Sequence, residues 1–394
     1  MIQKQKTILH FLSYSPQVYS GLDRFTIALS VELKKKGYQS VFVFDDEIGD
    51  TELEQDILTA GARIELLNTK KGMLETCKNI HFLLKKYRPK IVHSHFKPYI
   101  KNILAIMCFF YRIHFYFSNH SLKFKQSALD FRKEKGFLKA LRWRIYFSLL
   151  LFLCDKSFCI SEAIMKEYID FSGINSKKLQ ILYIGVNTSL ERQKKEMLRR
   201  ELMLPLNKVL IVNVSAIDYV KGIDIIIKAA MLLSEKYKLN NFKIIHVGGL
   251  RSNVEANLKY ADELKRLKSE LLGDSDCFNW LGKRNDIHNI LSACDIYIHP
   301  SRMEGISVAI MEACSAFLPI LGSNVGGIPE IIKDDVNGLL IEPENEQQLA
   351  EALSKLISNE KLRMEMGTKS YQMVKEKWDM NKQVIKLVEA YGIQ

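Results

Sequence analysis

Residues 296–312 read Ile-Tyr-Ile-His-Pro-Ser-Arg-Met-Glu-Gly-Ile-Ser-Val-Ala-Ile-Met-Glu. The apolar run that ends at Pro300 predicts a buried strand, and the apolar pattern that resumes near Ile306 predicts a helix. The loop between them carries Glu304 and Gly305. Because the first backbone N–H groups of a helix have no partners inside it, such a helix start can bind a diphosphate. The segment therefore predicts an α/β fold with a ligand at the carboxyl ends of its strands.

The same alternation of a short apolar run and a helix-like stretch continues on both sides of this segment, as is typical of parallel βαβ units. With 394 residues, the chain exceeds the roughly 250–300 residues at which one hydrophobic core stops growing. We therefore expect two Rossmann-like domains whose loops face each other across a cleft. The runs that predict strands lie at 7–12, 40–44, 91–93, 209–214, 242–247, 278–281, 296–299 and 319–321.

Composition limits the partners and the compartment. The 57 basic and 45 acidic residues give a net charge of +12, which favours nucleic acid, anionic lipid headgroups or phosphorylated substrates. Seven scattered cysteines form no Cys-x-x-Cys pair, so neither a disulfide framework nor a zinc site is predicted. Met1–Lys6 leads directly into a predicted strand, and Ile145–Cys154 is too short to span a bilayer. We expect a cytoplasmic protein that is soluble or peripheral to the membrane.

Glu304 and Glu312 are the first candidate site residues. Glu304 precedes the predicted helix, where it can accept hydrogen bonds from sugar hydroxyls; Glu312 lies two turns inside it and can take both hydroxyls of a ribose. Taken alone, the two residues also fit a first-turn acid and a solvated acid. Their spacing after a Pro-Ser strand end resembles that of the retaining glycosyltransferases of family 4. The glycine-rich run 323–330 and Asn337–Leu340 extend the resemblance.

The resemblance implies a GT-B fold and transfer, with retention, of a hexose from a UDP- or GDP-sugar to a glycan or lipid-linked acceptor. It implies an acceptor-binding domain over residues 1–190, a nucleotide-sugar domain over 191–375 and a helix at 376–394 that returns to the first domain. Lys221 matches the family's diphosphate-binding lysine, whereas Ala216 fills the position of its arginine. Another cation would have to take the place of this arginine beside the diphosphate, and the candidates are Arg251, Lys283 and Arg284.

The remaining site residues also follow from the resemblance. It implies that Glu304, His120 and Lys221 are catalytic, with the leaving diphosphate assisting a same-face reaction. His120, beside the transferred sugar, and His95 are candidates on the acceptor side; by residue type alone each also fits a hydrogen-bonded histidine at a strand end. The further donor-binding candidates, besides Lys221, Arg284 and Glu312, are Gly21 (after Ser20), Gly248, Gly305, Ile306 and Ser307.

Two charged segments bear on whether the protein binds a metal ion and whether it binds a membrane surface. Asp274-Ser275-Asp276 has the spacing by which other glycosyltransferases bind Mg²⁺ or Mn²⁺, but its Gly-Asp-Ser context favours a turn, so we expect no metal or cofactor. Residues 121–146 carry eight basic and two acidic side chains among apolar ones, which fits either an anionic membrane surface or a solvated helix over a buried stripe. No motif for nucleic-acid binding accompanies them.

Two other functions remain open. A nucleotide-sugar epimerase can share this two-domain architecture, although the paired glutamates disfavour it. A non-catalytic partner subunit that only binds a nucleotide sugar is the second alternative, and the missing cation at Ala216 keeps it open.

Overall fold

The computed structural model describes residues 6–14, 19–49, 51–120, 137–172, 177–189, 194–250 and 255–394. The chain forms two compact units, one of residues 1–185 with 380–394 and one of residues 186–379. The unit limits fall a few residues from the predicted limits at 190 and 375. Arg251 and residues 121–136 of the basic segment lie outside the described residues, so the expectations attached to them stay predictions.

The first unit contains a seven-stranded parallel sheet with the strand order β3-β2-β1-β4-β5-β6-β7. Its strands are β1 (Lys6–Phe11), β2 (Tyr38–Phe44), β3 (Arg63–Leu66), β4 (Ile91–Ser94), β5 (His114–Asn119), β6 (Lys156–Cys159) and β7 (Leu179–Ile181). The helices that connect them are α1 (Gly21–Lys35), α2 (Thr51–Thr59), α3 (Met73–Tyr87), α4 (Pro98–Tyr111), α5 (Phe137–Leu153) and α6 (Glu162–Ser172).

The second unit contains a six-stranded parallel sheet with the strand order β10-β9-β8-β11-β12-β13. Its strands are β8 (Val209–Val214), β9 (Phe242–Val247), β10 (Phe278–Gly282), β11 (Ile296–His299), β12 (Ile320–Ser323) and β13 (Gly338–Ile341). Its helices are α7 (Lys195–Glu201), α8 (Ile223–Glu235), α9 (Glu255–Leu272), α10 (Ile287–Ala293), α11 (Val308–Ser315), α12 (Ile328–Ile331), α13 (Glu346–Ile357) and α14 (Glu360–Lys377). The last helix, α15 (Met380–Ala390), belongs to the first unit and packs on α1.

Local chemistry determines where α1 begins. The backbone N–H of Ser20 donates to the Asp23 carboxylate at 2.8 Å, and the Ser20 hydroxyl accepts from the Asp23 N–H at 3.4 Å. This capping box satisfies donors that a helix start leaves free. It starts α1 at Gly21, so the donor-binding candidate Gly21 is the first residue of the helix.

The strand order of each sheet reverses at one place, between β1 and β4 in the first unit and between β8 and β11 in the second. At such a switch point the loops that follow the two strands run to opposite sides of the sheet and leave a crevice at the carboxyl ends. The predicted pair of Rossmann-like α/β domains is confirmed. The switch point between β8 and β11 carries Lys221 and Glu304.

Within the ranges that the structure describes, no helix is both long and apolar enough to cross a membrane.

Candidate active site

Lys221 ends a short 3₁₀ turn, Tyr219–Lys221, which follows β8 and is capped by the Asp218 carboxylate. The next residue, Gly222, has φ +67°, and a Cβ there would lie 2.1 Å from the carbonyl oxygen of Pro300. Only glycine fits both the left-handed backbone and this contact. Gly222 thus lets the turn pack against the end of β11, which brings Lys221 to the loop that carries Glu304.

Arg302 joins the same two loops. Its guanidinium donates to both carboxylate oxygens of Asp224 at 2.9 and 2.7 Å and to Glu344 at 2.7 Å, and it lies 3.9 Å from the centre of the Tyr219 ring. The backbone N–H of Arg302 also donates to the carbonyl of Val220 at 2.8 Å. Sequence reasoning missed this residue, whose one signal is its place two residues before Glu304. A planar, bidentate contact of this kind fixes the loop more firmly than a lysine would.

Glu304 lies between two basic side chains. Its Oε2 accepts from Lys221 Nζ at 2.5 Å and lies 3.1 Å from His299 Nε2. Burial alone would raise the pKa of Glu304, but the Lys221 charge and the His299 contact outweigh it and lower the pKa to about 2. The carboxylate is therefore ionised at neutral pH, and it can accept hydrogen bonds but cannot donate a proton.

His299 extends this contact into the sheet. Burial lowers the pKa of His299, so the ring is neutral. Because the ionised Glu304 can only accept, Nε2 of His299 carries the proton and Nδ1 is an acceptor. Nδ1 lies 3.2 Å from the Tyr297 hydroxyl, whose one proton is shared with the Val214 carbonyl, also at 3.2 Å. Behind it, the Asn213 amide donates to the carbonyl of Ile298 at 2.8 Å and links β8 to β11. The contacts of Tyr297 with His299 and of His299 with Glu304 hold the orientation of Glu304, and neither Tyr297 nor His299 was predicted to be a site residue.

The helix after Glu304 begins later than expected. Ser307 caps α11, its hydroxyl accepting from the Ile310 N–H at 3.3 Å, and the first helical residue is Val308. Gly305, Ile306 and Ser307 therefore precede the first turn, and Glu312 lies about one turn inside the helix, not two. The helix was predicted to begin close to Ile306, two residues before the observed start, because the buried Ile306 extends the apolar pattern ahead of the helical backbone. The glycine-rich run reaches the same loop, where Gly327 N–H donates to the carbonyl of Glu304.

Three further predicted features have contacts of their own. Gly248 has φ +149°, and a Cβ there would lie 1.9 Å from the Ser215 carbonyl oxygen, so the chain's own backbone already requires glycine. Arg284 is exposed and donates to Asp286 at 2.8 Å. Asp276 accepts from Lys243 at 2.7 Å, an ion pair that competes with any metal for its carboxylate.

The switch point of the first unit holds a row of histidines. His93 contacts the hydroxyl oxygens of Tyr391 and Ser118 at 2.5 and 2.8 Å, and its ring stacks on His95. His95 Nδ1 lies 2.9 Å from His120 Nε2, so the two predicted acceptor-side residues are brought together. Burial lowers the pKa of His120 to about 3 and that of His95 well below its usual value, which keeps both rings neutral.

His10, on β1, extends this row. Its two ring nitrogens have no hydrogen-bond partner among the described residues. Within that part of the chain, His10, His93 and His95 form the group whose side chains come close enough to share a metal ion. The group is wholly buried, and a metal would have to displace one of the hydroxyl contacts of His93.

Solved structures share the fold of the whole chain. A crystal structure of Anabaena Alr3699/HepE in complex with UDP superposes with a TM-score of 0.80, at 17% identity, over 98% of this chain and 99% of that one. The parallel sheets and their order are thus those of the GT-B glycosyltransferases. Two family models divide the sequence between them, Glycosyltransferase Family 4 over residues 19–190 and Glycosyl transferases group 1 over residues 194–373. The chain belongs to the glycosyltransferases of family 4.

Curated relatives match at lower coverage. An Escherichia coli UDP-Gal:alpha-D-GlcNAc-diphosphoundecaprenol alpha-1,3-galactosyltransferase is 26% identical over 83% of this chain and 80% of its own length. A Campylobacter jejuni N,N'-diacetylbacillosaminyl-diphospho-undecaprenol alpha-1,3-N-acetylgalactosaminyltransferase is 26% identical over 66% of this chain and 57% of its own length. The matches to the first four curated relatives span 59%, 57%, 47% and 59% of those proteins.

Proposed function

We propose that this protein transfers a hexose from a UDP- or GDP-sugar, with retention of anomeric configuration, to a lipid-linked or glycan acceptor in the synthesis of a cell-surface polysaccharide. The observation that carries the proposal is the ionised Glu304 between Lys221 and His299 at the β8–β11 switch point. The E. coli relative is named for a UDP-sugar donor and a diphosphoundecaprenol-linked acceptor, which supports the same classes of substrate here.

In this proposal Lys221 stabilises the charge that develops on the leaving diphosphate. The Glu304 carboxylate accepts from hydroxyls of the transferred sugar, and Lys221 swings from Glu304 toward the diphosphate when the donor binds. Glu312 binds the ribose, and the backbone of Gly305–Ser307 lies beside the phosphates. Because Glu304 is paired with Lys221 and His299, we assign it no role as a covalent nucleophile, and the leaving phosphate itself accepts the acceptor's proton on the same face of the sugar.

The first unit provides the acceptor side, with His95 and His120 as the candidate residues. Both imidazoles are neutral, so they can donate to and accept from hydroxyl groups without a change of charge. A lipid-linked acceptor would place the enzyme at the cytoplasmic face of a membrane, and the basic segment 121–146 would be attracted to its anionic headgroups.

The absence of the cation at Ala216 is the specific observation that supports a non-catalytic alternative. A turnover assay separates the catalytic function from the non-catalytic alternative. The protein is incubated with UDP-, GDP- and ADP-sugars, with and without a diphosphate-linked lipid acceptor, and released nucleotide is measured. We expect release with one donor, faster when acceptor is present. Donor binding without release would favour the non-catalytic subunit, and conversion of the donor to an isomeric sugar would favour an epimerase.

The same assay tests metal independence. We expect activity to persist in EDTA, because Lys221 can stabilise the charge of the diphosphate in place of a metal and Asp276 is paired with Lys243. Treatment with EDTA followed by addition of Mg²⁺ or Mn²⁺ is the measurement. Activity that is lost and then restored by either ion would contradict the expectation and return attention to Asp274 and Asp276.

A further inference from the structure

Four helices of the first unit, α3 to α6, lie side by side, each packed on the next. The two in the middle, α4 and α5, expose large apolar side chains. On α5 these are Ile145 and Phe152, which are 60% and 74% exposed, together with Leu141 and Leu149. Their spacing is close to the helical repeat, so they form one stripe along the helix. The opposite side of α5 buries Phe147 and Leu150. The exposed stripe is therefore additional to the side that builds the core.

The neighbouring helix α4, which packs on α5, also exposes apolar side chains. Its last turns expose Phe109 and Phe110, at 58% and 77%, with Ile106 one turn earlier. A shallow groove on α5 is lined by Leu141, Arg144, Ile145, Ser148, Leu149 and Phe152. Isolated exposed apolar residues are normal, but clustered ones on two helices that pack together indicate a site of interaction. We call this surface, residues 106–110 of α4 and 141–152 of α5, the apolar face.

Charge indicates what the apolar face binds. Neither α4 nor α5 contains an aspartate or a glutamate. Arg142 and Arg144 lie exposed beside the stripe of α5, and the exposed Arg112 follows α4. The exposed Asp155, two residues beyond α5, contacts His114 at 2.9 Å. Bulky apolar side chains bordered by guanidinium groups and without acids are the pattern of a helix that lies in an anionic lipid interface. A protein partner would more commonly meet a rim of both signs.

We propose that the apolar face inserts into the interface of an anionic lipid bilayer, with Arg112, Arg142 and Arg144 contacting the headgroups. The inference rests on the proposed function, since it gives the enzyme access to a lipid-linked acceptor. It differs from attraction by the basic segment 121–146, because insertion buries apolar surface that salt does not screen. The binding therefore has one part that salt weakens and another that it leaves intact.

Vesicle flotation tests the proposal with the whole protein. The vesicles are phosphatidylcholine alone or phosphatidylcholine mixed with phosphatidylglycerol, at about 0.1 M and about 1 M salt, where the Debye length is about 10 Å and about 3 Å. We expect strong flotation with the anionic vesicles at low salt and weaker but measurable flotation at high salt. No flotation with anionic vesicles, or complete release at high salt, would overturn insertion.

A matched pair of variants assigns the surface. One variant combines Ile145→Ser, Leu149→Ser and Phe152→Ser; its control combines Leu206→Ser, Leu258→Ser and Ile385→Ser, which change exposed apolar residues elsewhere. We expect the first to lower vesicle partitioning about tenfold or more, and the control to match the unchanged protein. Equal loss in both variants, or in neither, would refute the assignment to the apolar face.

Two further measurements keep the test decisive. If the triple variant fails to fold, Ile145→Trp preserves the apolar character, and brominated lipid acyl chains should quench its fluorescence more than that of Ile385→Trp. Light scattering tests the alternative that the apolar face binds a second copy of the chain. A dimer that the triple variant dissociates would show that the apolar face is a contact between two copies. Vesicle binding does not depend on turnover, so insertion without transfer to any lipid-linked acceptor would reject the proposed function and leave this inference standing.

Discussion

The charge of Glu304 is maintained against burial by two partners that come from different strand ends. A carboxylate with its pKa lowered to about 2 accepts hydrogen bonds at any physiological pH. Glu312, about one turn inside α11, is only partly buried. Burial raises the pKa of the Tyr297 phenol, and the charges of Glu312 and Glu304 raise it further. The two glutamates therefore differ in surroundings, and in the proposed reaction they differ in role.

Substitution of the two glutamates should separate donor binding from turnover. Glu312→Ala should raise the donor KM, because it removes contacts to the ribose, with a smaller change in kcat. Glu304→Ala should lower kcat by about 10²-fold or more, because it removes contacts that strengthen as the sugar reacts. Steady-state kinetics with a saturating acceptor measures both effects. Unchanged kinetics in both variants would remove the site assignment.

His10 gives a second prediction at this scale, for stability against pH. Burial lowers its pKa from the usual 6.5 to about 3. Between these values the unfolded chain binds a proton that the folded chain does not, so stability falls as the pH drops below 6.5. The loss is about 1.4 kcal/mol per pH unit for one such group.

Replacing His10 should make this acid sensitivity smaller. We expect His10→Leu to lose less unfolding free energy than the unchanged protein between pH 6.5 and pH 5, whatever its stability at pH 7.5. Urea denaturation at several pH values measures the slope. Parallel slopes for His10→Leu and the unchanged protein would contradict the predicted effect.

The residues of the site were predictable only in part. Glu304 and Lys221 stand in motifs that can be read along the chain, and the structure brings them together. Arg302 and Tyr297 could not be assigned, because they contact residues about 80 positions away in the sequence. His299 could not be assigned, because its contact with Glu304 depends on how the loop after β11 folds. Linear spacing does not encode such contacts.

At the scale of elements, the buried strands β8 and β9 and the edge strand β10 were predicted closely, whereas the edge strand β3 was not. The runs at 209–214 and 242–247 coincide with β8 and β9, which have neighbours on both sides and are almost wholly buried. The edge strand β3 was missed, because Arg63 and Glu65 interrupt its apolar pattern. A strand with one neighbour and a solvated side need not be continuously hydrophobic.

The turn between β8 and α8 offers a test at this scale. Gly222→Ala should destabilise the second unit by about 3 kcal/mol or more, because it adds a clash with Pro300 to the strain of a left-handed backbone. Gly282→Ala is the control: Gly282 has the same φ of +67° in the same unit, but nothing lies within 4 Å of its Cβ position. It should cost about 1 kcal/mol. Calorimetric unfolding measures both, and equal losses would show that packing against Pro300 contributes nothing.

At the scale of the whole molecule, the first unit is built from two separate parts of the chain. The second unit is continuous, whereas the first is completed by α15, which packs on α1. Beyond α15, the Tyr391 hydroxyl contacts His93 Nδ1 at 2.5 Å, and the Tyr391 ring packs edge-on against Tyr116. Residues 380–394 therefore close the core above β4 and β5. Their removal should damage the first unit and leave the second folded.

Deletion of residues 380–394 tests this dependence. Hydrogen exchange followed by mass spectrometry should show faster exchange in α1, β4 and β5, because the deletion exposes apolar surface that α15 and Tyr391 cover. Peptides from β8, β9 and α8 should exchange as before, since their contacts lie within residues 186–379. Tyr391→Phe serves as the mild control: it removes the hydroxyl but keeps the ring, so it should increase exchange in β4 alone. Unchanged exchange in α1 after the deletion would show that the last helix is dispensable for the first unit. Equal loss of protection in both units would show that they unfold as one.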